Sequence, residues 1–79
     1  MKTITNKNGI TYEILAINYA KNIALLKQGN IFIVACNIQY DNNNVAVWEQ
    51  GHYFLKNSCD LYSTPLVDAT KLFFEKCEL

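Results

Sequence analysis

The chain has 79 residues, of which 51% are hydrophobic and 18% charged, and its formal net charge is zero. That is enough apolar material for one small core and too much for a disordered chain. Seven lysines balance seven carboxylates and there is no arginine. This argues against duplex nucleic acid as a partner, because phosphate contacts need a basic excess and bidentate base reading needs arginine.

The whole chain, 1–79, reads as a single small domain. Lys2–Thr5 is a short first strand, and Asn8-Gly9 is a turn dipeptide that tolerates positive φ. Ile10–Tyr19 is rich in β-branched and aromatic residues. Both of its alternate residue sets are apolar, which predicts a strand covered on both faces. Ala20-Lys21-Asn22 turns the chain into Ile23–Gln28, and Gly29-Asn30 is a two-residue hairpin signal. Ile31–Tyr40 alternates, with Phe32, Val34, Cys36, Ile38 and Tyr40 as the expected core face. Residues 41–44 are a polar turn. Val45–Phe54 is the last expected strand, and Gly51 within it points to a bulge or a close backbone approach.

The period then changes. After a loop at 57–62, Thr64-Pro65 reads as an N-cap followed by proline at the first helical position. Leu66, Ala69, Phe73 and Cys77 recur at helical spacing, with Leu72 and Phe74 flanking them. The expected architecture is α+β: an antiparallel meander sheet of four or five strands with one C-terminal helix, spanning roughly residues 65–78, packed on one face. A small barrel lidded by the helix is the alternative.

Three cysteines, Cys36, Cys59 and Cys77, are odd in number and contain no C-x-x-C pair. Reduced thiols in a cytoplasmic protein are the simpler reading than a secreted disulfide scaffold. The N-terminus has no apolar stretch after its early lysine, so no signal peptide is expected. The longest purely apolar run, Ile31–Cys36, is too short to span a bilayer, so no membrane partner is expected.

Candidate chemistry is sparse. A Cys–His nucleophile pair would need an exposed thiolate beside His52, and only Cys59 is expected outside the core. A zinc site from Cys36, His52, Cys59 and Cys77 lacks the close ligand pair that usually nucleates one. The glycines stand alone, without a phosphate-binding loop. No enzymatic activity, metal or cofactor is therefore expected.

What remains is the aromatic and polar segment Trp48, Glu49, Gln50, His52 and Tyr53. Trp48 is either a core anchor beneath the helix or, with His52 and Tyr53, part of an exposed patch on the sheet face away from the helix. Such aromatics are enriched at binding hot spots. Apolar residues on a second sheet face would also suit a homodimer.

The strings Tyr12-Glu13-Ile14-Leu15-Ala16-Ile17-Asn18, Ala24-Leu25-Leu26-Lys27, Phe32-Ile33-Val34-Ala35 and Trp48-Glu49-Gln50-Gly51-His52-Tyr53-Phe54 are spread over residues 12–54 of the chain. They resemble small uncharacterised proteins of low-G+C Gram-positive bacteria and their phages and mobile elements. The resemblance implies an accessory factor in the bacterial cytoplasm, of the kind that includes anti-CRISPR inhibitors, acting by contact with a protein partner. The expectation is a non-enzymatic protein-binding module, with Trp48, Glu49, Gln50, His52 and Tyr53 contacting the partner. A sheet that stacks single-stranded nucleic acid is the alternative.

Overall fold

The computed structural model describes residues 2–43, 45–48, 50–55 and 64–78. Thr3–Thr5 (β1), Thr11–Asn18 (β2), Ile23–Gln28 (β3), Ile31–Cys36 (β4) and Gln50–Leu55 (β7) form a five-stranded sheet in the order β1-β2-β3-β4-β7. Each neighbouring pair is antiparallel. Between β4 and β7 the chain leaves this sheet for a two-stranded hairpin, Gln39–Tyr40 (β5) and Ala46–Val47 (β6). The helix, Pro65–Glu78 (α1), packs on β3, β4 and β7. The α+β meander with one C-terminal helix on one face is therefore the fold observed.

The turns explain the order. Gly29 has φ of 58°, and Gln28 and Ile31 pair directly across the two-residue loop. Positive φ at the first central position is the geometry that glycine permits and that matches strand twist. Two other turns are built alike. Asn6 Oδ1 accepts hydrogen bonds from the backbone N–H groups of Asn8 and Ile10, both at 3.0 Å. Asp41 Oδ1 accepts from those of Asn43 and Val45, at 2.8 and 2.9 Å. In both, the first residue's own N–H donates to the carbonyl four residues on. One short polar side chain thus satisfies two turn donors that would otherwise need water.

Two hydrophobic clusters lie on opposite faces of the main sheet. On the helix side, Ile23, Leu25, Val34 and Cys36 meet Ala69 and Phe73. On the other side, Ile4, Tyr12, Ala24, Leu26, Ile33 and Ala35 are covered by Ile38 and Ala46, which flank or belong to the small hairpin. The molecule is thus layered as helix, sheet and hairpin. β3 and β4 are central and contribute to both clusters. Among the described residues, Leu26, Ile33 and Val34 are the largest fully buried side chains.

Four expectations change. Ile31–Tyr40 is not one strand: Asn37, at φ 56°, ends β4 and turns the chain off the sheet. Asparagine is the non-glycine residue that best tolerates that region. Ile38 is consequently in the opposite cluster from Val34 and Cys36, Tyr40 is exposed, and Phe32 is only partly buried. The core therefore lies on both faces of β4, not on the Phe32–Tyr40 set alone.

Nor is Val45–Phe54 one strand, because the chain passes from β6 to β7 at Trp48. The pairing of β4 with β7 is regular through Ala35↔Gly51, so Gly51 is not a bulge. The bulge lies in β2, where Ile14 faces Leu26 but Ala16 faces Leu25. Leu15 is the extra residue and is exposed. The slip moves alternate residues to the other face, so Ile14 and Ile17 pack in one cluster while Ala16 packs in the other. That explains why both residue sets of this strand are apolar.

Finally, the helix buries Ala69 and Phe73 and packs Leu72 and Cys77 against the sheet, with Phe74 outside, but Leu66, expected to be buried, is exposed. The loop at 57–62 and Cys59 lie outside the described residues.

Candidate functional site

The hairpin is smaller than the sheet face it covers, and a cleft of about 170 Å³ remains at its margin. Three separate segments build it. The turn after β1 supplies Asn6, Lys7 and Asn8; β6 and the residue after it supply Ala46, Val47 and Trp48; β7 supplies Tyr53. An isolated parallel bridge between Asn6 and Ala46 holds the first segment against the second.

Trp48 is half-buried and rests edge-on against Tyr12, with ring centroids 5.6 Å apart and planes at 68°. This is a favourable aromatic geometry, because the positive edge of one ring meets the negative face of the other. The Asn6 amide nitrogen donates a long hydrogen bond of 3.4 Å to the Tyr12 hydroxyl, tying the turn to the same aromatic pair. Tyr12 is buried, which pushes its phenol pKa above the usual 10.0, and the neighbouring Tyr53 phenol raises it further.

Gly51 is the close approach that makes this packing fit. A Cβ there would lie 3.2 Å from Trp48 Nε1 and 3.3 Å from Tyr53 Cε2. The bare glycine lets the indole and the phenol converge over the strand backbone. Tyr53 remains 59% exposed, so its outer face is available to a ligand.

The expected site residues divide. Trp48 and Tyr53 meet at the cleft, on the face away from the helix. Trp48 is therefore an anchor of the hairpin-side cluster and not a residue beneath the helix. His52 is on the opposite face: it pairs with Val34, whose side chain packs under α1. Its Nε2 is buried and makes no hydrogen bond to a described residue. The expectation that His52 shares a face with Trp48 fails because β6 and β7 are different strands, and alternation does not carry across the break. Gln50 enters β7 opposite Cys36. Glu49 lies outside the described residues.

Asn6, Lys7, Asn8, Ala46 and Val47 complete the site, and sequence reasoning missed them. The signal that pointed to part of it was local: Asn6 stands four residues before Ile10 with Asn-Gly between, the same spacing as Asp41 and Val45.

The described lining holds indole, phenol, amide and one ammonium group, but no carboxylate, thiol or imidazole. Such a surface offers stacking faces and hydrogen-bond donors. Among the described residues, no group of three or more His, Cys, Asp or Glu side chains could hold a metal ion. No described helix is long and apolar enough to cross a membrane. The chain matches no protein-family model, no curated protein and no solved structure.

Proposed function

We propose that the chain is a non-enzymatic protein-binding module that docks a protein partner at the cleft beside Trp48 and Tyr53. The observation that carries this reading is the convergence of Trp48 and Tyr53 over Gly51 next to the turn that bears Lys7. Rigid aromatics with polar tips bury much area at low entropy cost, which is why they dominate binding hot spots. Zero net charge favours a protein over a polyanion. The setting implied by the resemblance is an accessory protein of a phage or mobile element that blocks a host defence factor by contact. A module of this size and charge suits that role.

The test is affinity capture from the bacterial host, with wild-type, Tyr53→Ala and Lys7→Glu proteins compared by mass spectrometry. The expected result is one partner enriched by the wild type and lost from both variants, each with an unchanged melting temperature. Equal capture of that partner by both variants would overturn the reading. Lys7 is the only cation among the described lining residues, so single-stranded DNA or RNA is expected to give no complex in a low-salt gel shift. A salt-sensitive complex there would replace protein docking with base stacking.

A further inference from the structure

The two edges of the main sheet differ. β1 has only three residues, a length that blunts an edge against pairing. β7 has six residues, Gln50–Leu55, in unbroken register with β4, and no other strand pairs with it among the described residues. It carries no lysine, no proline and no bulge, the usual devices that keep an edge from pairing. Tyr53 and Leu55 lie opposite Ile33 and Ile31, so both point to the face away from the helix, and each is 59% exposed.

We propose that β7 is a self-association edge, on which two copies pair antiparallel about a two-fold axis into one continuous sheet. With five strands from each copy the sheet has ten. Paired residues in an antiparallel ladder point to the same face, so the axis must lie between the strands level with one residue and its own copy, not between two positions. An axis at Tyr53 sets Tyr53 against the partner's Tyr53 and Gly51 against the partner's Leu55, at the edge of Trp48. Tyr53 and Leu55 then each gain a side-by-side neighbour across the seam, which leaves the cleft side of Tyr53 to a docked partner.

An axis at His52 would instead oppose two imidazoles and leave Leu55 without a partner residue in the strand. A β7–β7 contact is isologous and closes as a dimer, whereas pairing β7 with β1 would propagate an open filament. That closure, with exposed Tyr53 and Leu55 on one face of an unblunted strand, favours a second copy of this chain as the occupant.

The test is sedimentation equilibrium across the micromolar range, with hydrogen exchange of the β7 amides. The expected result is a species of twice the chain mass, and β7 amides whose protection rises with protein concentration. Photo-oxidative crosslinking should join Tyr53 to the partner's Tyr53. Leu55→Lys should weaken the dimer at least about tenfold without changing the circular dichroism spectrum or the melting temperature of the monomer. Lys7→Glu, which alters the cleft and not the edge, should leave the dimer intact, so self-association and partner docking can fail separately. A monomer at every concentration would overturn the proposal. So would a dimer that survives Leu55→Lys, or one dissolved by Phe74→Ser on the exposed side of the helix.

Discussion

The two faces of the central sheet are covered by unequal means. On one face a fourteen-residue helix lays Ala69 and Phe73 across Leu25, Val34 and Cys36. On the other, two strands of two residues each must cover Tyr12, Leu26 and Ile33. The helix achieves its cover through regular periodicity. The hairpin needs a bulge at Leu15, a left-handed Asn37, two side-chain-capped turns and a bare glycine under Trp48. The regular cover supplies stability, and the irregular cover leaves the cleft. A small lid on a wide apolar face produces an edge at which aromatic rings are anchored on one side and exposed on the other.

The largest expected effect lies on the helix side. Phe73→Ala removes a buried ring between helix and sheet and should cost about 3–5 kcal/mol in denaturant unfolding. Trp48→Ala should cost less, about 2–3 kcal/mol, because the indole is already half-exposed. Equal losses would mean that the hairpin is as strong a cover as the helix. Asp41→Ala and Asn6→Ala each hand two turn N–H groups to water and should each cost about 1 kcal/mol. Only Asn6→Ala should also alter the near-ultraviolet signal of Trp48 and Tyr12, since Asn6 alone touches that aromatic pair.

Gly51→Ala sharpens the comparison further. Gly51 does not have positive φ, so its backbone conformation suits alanine, and any loss comes from the contacts of 3.2 and 3.3 Å that the new methyl would make. Overpacking of this kind should cost about 1 kcal/mol and shift the tryptophan emission. An unchanged emission spectrum would show that Trp48 does not press on this strand.

The smallest effect is the titration of Tyr12. Its phenol pKa is raised in the folded protein, so the unfolded chain releases this proton first as pH rises. Stability from this group is complete below pH 10.0 and is lost as pH climbs above it. Tyr12→Phe should therefore flatten the decline of stability with alkaline pH, by at most about 1.4 kcal/mol per pH unit. Parallel alkaline limbs for the two proteins would show that Tyr12 is not desolvated.

The same contrast decided what could be read from the residues. The helix was legible because Thr64-Pro65 marks its start and Ala69, Phe73 and Cys77 keep its period. The meander was legible because Asn8-Gly9 and Gly29-Asn30 announce hairpins. The hairpin side was not. An extra Leu15 in an apolar run alters no composition, yet it exchanges the faces of everything after it. Asn37 ends β4 inside a stretch that alternates well enough to pass for a longer strand. Of the aromatic segment, the fold brings Trp48 and Tyr53 together at the cleft. His52 lies on the other face because β6 and β7 are separate strands, and alternation does not carry from one to the other. Lys7 and Asn8 could not be found, since only the bridge from Asn6 to Ala46 brings residues forty positions apart to one cleft.

The proposed docking of the partner is on the hairpin side, at Trp48 and Tyr53, and not on the exposed helix residues. Its most direct measurement is the affinity of the captured partner for Tyr53→Ala and Phe74→Ser, both of which replace side chains that are 59% exposed. The expected result is a loss of about 30-fold for Tyr53→Ala, equivalent to about 2 kcal/mol, and less than about twofold for Phe74→Ser. The reverse pattern, with Phe74→Ser abolishing binding and Tyr53→Ala leaving it intact, would contradict it.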